Sequence, residues 1–507
     1  MEYTKIVGLE GMAEAARQMR EQGKRVVLCH GTFDLMHTGH IRYLQRSRNE
    51  GDVLFVTVTG DAYVNKGPGR PVFNQNLRAE SLAALQCVDL VAINPDYTAI
   101  NPIRMIRPDV YAKGSEYRSH GDDVTGNIVL EINAVEEYGG EVIYTDEITF
   151  SSSSLLNEYF GVFTPEARLF LEDFRARHDA GQLHRLLDEL AGLKVLVVGD
   201  AIIDQYHYVT PMGQTGKGNV MAVRYDSEEQ FAGGAIAVAN HVAAFASSVT
   251  LVTALGDRDS HEAFIREKLR GNVTPVFGRF QNAPTVTKRR FVDHDLAKLF
   301  EVYFFRDNPA LEDEGRETHA WLEARVGEFD CVVVADFGNG FVDREMVRIL
   351  SDKARFLAVN AQINSGNRGF HAINRYPRVD FASLNEPELR LAVHNRHDPL
   401  EEVAQVVAGK IQASHLAITR GTQGAVMLDC GRSVFHKVPA LSTRVVDRIG
   451  AGDAFLSMAS LCLARGYDAD VALFLGSVAA AIDVQIVCNR DAIDAVGVKK
   501  YVTTLLK

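Results

Sequence analysis

An α/β chain of two doubly wound parallel-sheet domains, joined by a helical connector, is what this sequence predicts. Three observations carry that expectation. The chain has 507 residues, whereas single cores stop growing at roughly 250–300, so more than one domain is required. Two stretches begin alike, Arg25-Val-Val-Leu-Cys-His-Gly-Thr-Phe-Asp34 and Leu193-Lys-Val-Leu-Val-Val-Gly-Asp200. Each is a continuous apolar run closed by Gly and Asp, the pattern of a parallel strand buried on both faces. Behind each, helical and strand periodicities alternate, as they do in sheets covered on both sides.

The elements follow in order. After the first strand, residues 41–51 read as helix and 52–58 as strand; 76–86 read as helix and 90–93 as strand; 124–138 read as helix and 141–144 as strand. At Thr164-Pro165-Glu166 a cap followed by proline starts a new helix. Leu169, Leu171, Phe174, Leu183, Leu186, Leu187 and Leu190 then recur at helical spacing, interrupted near Asp179-Ala-Gly181. This stretch has too few Gly and Ser for a flexible linker. The expected division is therefore residues 1–160, a connector over 161–192, and a second domain over 193–507.

Composition narrows the function. With 46% hydrophobic residues the chain can build packed cores. Its net charge of -12 disfavours nucleic acid and anionic membrane surfaces as partners. Six cysteines, Cys29, Cys87, Cys331, Cys430, Cys462 and Cys488, form no C-x-x-C pair and most sit in apolar runs, so neither a disulfide framework nor a metal site is expected. There is no signal-like N-terminus and no apolar run of the ~18–20 residues needed to cross a bilayer. These features together predict a reducing, cytoplasmic setting.

Two segments carry chemistry. In the first, Gly31, Thr32, Phe33 and Asp34 precede His37, Gly39 and His40 where the first strand meets the first helix. Doubly wound folds place ligands in that crevice, and a helix N-terminus offers amides to phosphate. Two imidazoles three residues apart fall on one helical face, suited to a reaction that builds negative charge on phosphorus. In the second, Gly450, Ala451, Gly452 and Asp453 open an apolar helical run. The small residues supply an anion hole, and the Asp can act as base toward a hydroxyl.

The first segment resembles the signature of the cytidylyltransferase-like nucleotidyltransferases. The likeness extends through Lys66-Gly67-Pro68-Gly69-Arg70-Pro71-Val72, Arg78, Arg107-Pro-Asp-Val-Tyr-Ala-Lys113-Gly114, Tyr138-Gly-Gly-Glu-Val142 and the run Ser151, Ser152, Ser153, Ser154. Within that superfamily it resembles the adenylyltransferase domain of the bifunctional heptose 7-phosphate kinase / heptose 1-phosphate adenylyltransferases. The resemblance implies a Rossmann-like fold. It also implies that His37 and His40 stabilise the α-phosphate and that Lys66 and Lys113 hold phosphates. Gly31, Thr32, Phe33, Arg78, Ser152, Ser153 and Ser154 would meet the nucleotide, and Asp34 the substrate.

The second half is similar to the ribokinase-like carbohydrate kinases. Gly199-Asp200-Ala-Ile-Ile-Asp204, Phe231-Ala-Gly233-Gly234, Asn385-Glu-Pro-Glu388, Ile418-Thr419-Arg420-Gly421 and the Gly450 to Asp453 turn occur in that family's order. The likeness implies Asp453 as catalytic base, with Gly450, Ala451 and Gly452 as anion hole. Asp200, Asp204, Gly233 and Gly234 would line the sugar site. Asn385 and Glu388 would organise the Mg2+-nucleotide water shell, with Thr419, Arg420 and Gly421 near ATP. This chain departs from the family at Arg448 and Ile449, where a Thr is usual, at Ala237 for Asn, and at Asn360-Ala-Gln362 for Asp-Pro-Lys. Its domain order is the reverse of the heptose enzymes'.

Together the two likenesses imply a bifunctional enzyme of nucleotide-activated sugar synthesis. One half would transfer a nucleotidyl group from ATP, or CTP, to a sugar phosphate, and the other would phosphorylate a sugar or sugar phosphate with Mg2+-ATP. The alternatives are a cytidylyltransferase fused to a kinase for another polyol or sugar, or one half serving as a nucleotide-binding or assembly module. Strands over 220–229 and the family habit of pairing through a β-lid imply a homodimer.

Overall fold

The structure, a computed structural model, describes residues 5–64, 70–115, 127–145, 163–306 and 315–507. Lys66, Ser152, Ser153 and Ser154 lie outside these described residues. Contacts divide the chain into two compact units, Met1–Thr164 with Lys499–Lys507, and Pro165–Val498.

In the first unit the strands β1 (Val26–Gly31), β2 (Val53–Thr59), β3 (Leu90–Asn94), β4 (Val110–Gly114) and β5 (Glu141–Thr145) form one sheet in the order β3-β2-β1-β4-β5, every pair parallel. The apolar run of β1 shows why. Val26 and Leu28 face one core with Met12, Phe55, Ile103 and Tyr111, while Val27 and Cys29 face the other with Leu44, Leu54, Val56 and Leu82. Successive side chains point to opposite faces, so a run apolar at every position needs helices on both sides. The helix expected over 41–51 spans Thr38–Arg48, because His37 caps it three residues earlier.

The second unit opens with the helices Pro165–Arg177 and Ala180–Glu189. Asp179 separates them and accepts the Gln182 amide at 2.9 Å. Phe174 of the first stacks on Phe474 at 4.2 Å between ring centroids, so these helices pack as part of this unit. Its main strands are β6 (Lys194–Gly199), β9 (Ser248–Arg258), β10 (Val273–Pro284), β13 (Cys331–Asp336), β14 (Leu357–Ala361), β15 (Phe381–Asn385), β16 (His415–Thr419), β17 (Ala425–Asp429) and β18 (Val434–Val438). They lie in the order β10-β9-β6-β13-β14-β15-β16-β17-β18. From β10 to β16 all pairs are parallel.

Two parts of this unit depart from a purely parallel expectation. β17 and β18 extend the edge as antiparallel strands, which short turns suffice to connect. A separate small sheet, in the order β12-β11-β7-β8, is built from β7 (Ala201–Gln214), β8 (Met221–Gly234), β11 (Val286–Val292) and β12 (Lys298–Phe304). The Asp200 to Asp204 stretch therefore leads from β6 into the long strand β7. Among the described residues no helix is long and apolar enough to cross a membrane.

Candidate active sites

The first site forms where the order of the five-stranded sheet reverses, between β1 and β4, as the fold predicts. β1 ends in Gly31, and Phe33 follows in the left-handed region at φ 48°. That bend turns the chain into the helix Thr38–Arg48. At its start, His37 Nδ1 accepts the Gly39 amide at 3.1 Å. A neutral imidazole whose Nδ1 accepts carries its proton on Nε2, and His37 Nε2 is buried without a hydrogen-bond partner among the described residues. Burial also lowers the His37 pKa, which favours this neutral donor. The His37 and His40 rings lie 4.1 Å apart, and Phe33 backs His40 edge-on at 5.6 Å.

Lys113 stands at the end of β4, on the other side of the crevice. It is 7% exposed, and its ammonium sits 2.7 Å from Glu131 Oε2. The Tyr111 hydroxyl donates to the same oxygen at 3.0 Å. Glu131, on the helix Asn127–Glu136, thus fixes the charge that the sequence assigned to phosphate. Asp34, also buried, accepts the amides of Val72 and Phe73 at 2.7 and 3.1 Å. It anchors the backbone just beyond the 65–69 segment.

Arg78 is placed behind the site rather than in it. Its side chain donates to the carbonyls of Phe73, Thr32 and Thr59 at 2.9, 2.6 and 2.8 Å, and to Asp61 Oδ1 at 2.6 Å. It clamps three loops together. Removing a buried, fully bonded charge leaves several acceptors unsatisfied, so Arg78→Met is expected to destabilise the first unit by about 3 kcal/mol. An earlier urea transition in the full chain checks this.

In the second unit, Gly450 caps the helix Ala451–Ala464 at φ 102°, and Asp453 lies in its first turn. A side chain at 450 would not fit, because its Cβ would stand 2.6 Å from Asn489 Oδ1 and 2.7 Å from Asp483 Oδ2. The amides of the turn are left open toward a ligand, as helix N-termini leave them. Burial first, then Asp204 and Glu388, push the Asp453 pKa up to about 7, against the pull of Lys288. Asp204 is 3% exposed and paired with Arg290, which also donates to Glu301 at 3.0 Å. Gly233 permits this arrangement, since a Cβ there would collide with Asp204 Oδ2. Gly234, at φ 61°, would likewise press a Cβ onto the Asp200 carbonyl.

Asp200 plays a different part from Asp204. Its carboxylate accepts the amides of Phe337, Asn339 and Phe341 at 3.0, 3.4 and 3.3 Å. It shapes the turn after β13, and its oxygens are turned to that backbone. Asn385 and Glu388 form a reciprocal cap on the helix Glu386–Ala392: Asn385 Oδ1 accepts the Glu388 amide and Glu388 Oε2 the Asn385 amide, both at 2.8 Å. Burial pushes the Glu388 pKa up to about 7. Thr419 ends β16, Arg420 donates to Glu386 at 2.8 Å, and Gly421 turns the chain at φ 57°.

Sequence reasoning missed Lys288 and Arg290. β11 reads Val-Thr-Lys-Arg-Arg-Phe-Val, a charge run that looks solvated, yet Lys288 and Arg290 are 8% and 6% exposed. Lys288 lines a cavity with Tyr303, Arg306, Asn339, Asn364 and Asn367. Only a buried carboxylate such as Asp204 makes that burial tolerable, and it lies 86 residues away in sequence.

Known proteins resemble both units. A profile described as pfkB family carbohydrate kinase matches residues 193–489, and one described as cytidylyltransferase-like matches 28–158. Over the N-terminal part, the bifunctional protein HldE of Methylobacillus flagellatus is 40% identical across 152 residues, 30% of each chain. That of Geobacter sulfurreducens is 41% identical across 140 residues, 27% of each. This chain thus spans under a third of those relatives' length. The crystal structure of Escherichia coli phosphofructokinase-2 in complex with potassium superposes with a TM-score of 0.50 at 16% identity, covering 62% of this chain and 100% of that one, a likeness of fold alone.

Proposed function

Because the chain belongs to the pfkB family of carbohydrate kinases and carries a cytidylyltransferase-like domain ahead of its kinase domain, we propose that it is a bifunctional enzyme of nucleotide-activated sugar synthesis. The observation that carries the reading is the presence of two helix N-termini with chemistry at their starts, one beyond β1 flanked by His37 and His40, the other bearing Asp453 under the influence of Asp204, Lys288 and Glu388.

At the first site a sugar-phosphate oxygen attacks the α-phosphorus of ATP, or CTP, and pyrophosphate leaves as the new P–O bond forms. His37 Nε2 and His40 meet the charge that develops on the α-phosphate, and Lys113, held by Glu131, meets the phosphates. At the second, Asp453 takes the proton of a sugar hydroxyl as that oxygen attacks the γ-phosphorus, and ADP leaves. The amides of Gly450, Ala451 and Gly452 receive the transferred group. Arg290 orients Asp204, and Lys288 adds a positive charge beside the incoming phosphates.

The donors suit a magnesium ion carried on the nucleotide. Among the described residues no group of three or more His, Cys, Asp or Glu could hold a metal, and both Glu388 oxygens already accept amides. When bound, Mg2+ would neutralise phosphate charge from the nucleotide side, with Asn385 and Glu388 meeting its water shell. The setting is cytoplasmic and the assembly a homodimer through the small sheet, whose Met221, Tyr225, Phe300 and Phe304 are exposed. Sedimentation at twice the chain mass checks the dimer; a single-chain mass refutes it.

The reading is tested by following label from ATP or CTP into a panel of sugars and sugar phosphates. Label from the γ-position should enter a sugar phosphate, and label from the α-position a nucleotide-sugar. Failure of either transfer across the panel refutes that half of the reading.

A further inference from the structure

Asp447 lies three residues before Gly450, in the turn that aims the anion-hole amides, and is 6% exposed. Its Oδ1 accepts the amides of Arg448 and Ile449 at 2.7 and 3.2 Å, and its Oδ2 the amide of Cys488 at 3.2 Å. The carboxylate therefore stitches this turn to the loop that carries Asn489. Two side chains from the small sheet complete its coordination. The Tyr206 hydroxyl, on β7, donates to Oδ2 at 2.6 Å, and the Lys298 ammonium, on β12, stands 3.3 Å from Oδ1. β7 and β12 are not neighbours in their sheet, so two separate strands converge on one carboxylate.

The packing around it points the same way. Tyr206, Phe231, Val292 and Cys488 form an apolar cluster, against which Leu296 and Ile449 pack. Ile449, one of the departures from the family pattern, thus serves the contact between the small sheet and the anion-hole turn. Burial alone would raise the Asp447 pKa, yet the Tyr206 hydrogen bond and the Lys298 charge hold it below the ordinary range. Asp447 is therefore a fixed negative charge three residues from a turn that must receive an anionic phosphoryl group. Without a cation beside it, that charge would oppose the arriving phosphate, and the turn would lose its tie to the sheet.

We propose that Lys298, acting through Asp447, is a positioning residue for phosphoryl transfer: its ammonium neutralises the buried carboxylate and, with Tyr206, holds the Gly450, Ala451 and Gly452 amides in register with the small sheet. This rests on the kinase reading of the second site. Lys298 acts through its contact with Asp447, so its effect is expected on turnover rather than on substrate binding.

The test compares the full-length wild-type chain with Lys298→Ala, Lys298→Arg and Tyr206→Phe, using ATP and the best sugar acceptor of the wild-type chain. Lys298→Ala is expected to lower kcat for ADP formation by roughly 10- to 100-fold with KM for ATP within about twofold. Lys298→Arg should restore most of that loss, and added ammonium ions should raise kcat of the Ala variant but not of wild type. Tyr206→Phe, which keeps the ring in its apolar cluster, should lower kcat by a smaller factor in the same direction. An unchanged kcat in both Lys298→Ala and Tyr206→Phe overturns the proposal, as does a loss confined to KM or to thermal stability that ammonium leaves unrepaired. Absence of ADP formation in the wild-type chain itself removes the kinase reading and this proposal with it.

Discussion

Asp453→Asn is expected to lower ATP-dependent phosphorylation by roughly a thousandfold, the loss of a well-placed general base, while pyrophosphate release by the first site stays at the wild-type rate. The substitution keeps the shape of the side chain at the first turn of the helix Ala451–Ala464 and removes only its basicity. The wild-type pH profile carries the same signature. With the Asp453 pKa pushed up to about 7 by burial, Asp204 and Glu388, the basic form is scarce below that pH and fills as pH rises through it. Phosphorylation should therefore climb across pH 7 and level off above it. The residual activity of Asp453→Asn should lack that inflection. Phosphorylation assays across pH 5.5 to 8.5 check both statements.

His40→Ala is the converse. It is expected to cut pyrophosphate release by roughly 100- to 1000-fold, about 3–4 kcal/mol of transition-state stabilisation, with ADP formation by the second site unchanged. His40 is the cleaner of the two histidines to remove. His37 also caps the helix Thr38–Arg48 through Gly39, so its loss would loosen the helix start as well as the phosphate contact. Coupled detection of pyrophosphate and of ADP, run on the same preparation, separates the two outcomes.

The sequence made the frame of both sites legible, because each depends on local pattern. An apolar strand, a glycine-bearing turn and a helix start are contiguous in Arg25 to His40, and a glycine-bearing turn and helix start recur in Val446 to Phe455. That is enough to place two anion-binding helix ends on parallel sheets. What the pattern could not show is which way a polar side chain turns once the chain folds. Arg78 and Asp200 both belong to the motifs read from the sequence, yet Arg78 grips carbonyls behind its site and Asp200 gathers three backbone amides. Both serve the loops that frame a ligand.

The residues that reading left out share one property: their partners are remote in sequence. Asp204 meets Arg290 across 86 residues and Tyr206 meets Asp447 across 241. Lys288 and Arg290 look like surface charge until the small sheet folds Asp204 against them. That sheet was itself only partly foreseen, from the 220–229 stretch, because long antiparallel arms of mixed polarity carry a weaker periodic signal than buried parallel strands. Glu131 was hidden for the same reason, since Tyr111, which donates to it from β4, lies 20 residues earlier.

The central claim is that one chain holds two independent phosphate-transfer sites. The most direct measurement is phosphorus NMR of ATP and CTP turnover by the full-length protein over a panel of sugars and sugar phosphates, with ADP and pyrophosphate resolved in the same spectrum. Both products should form, each with its own acceptor, ADP alone surviving in His40→Ala and pyrophosphate alone in Asp453→Asn. A single product across the whole panel, or both products lost together in either variant, would contradict it.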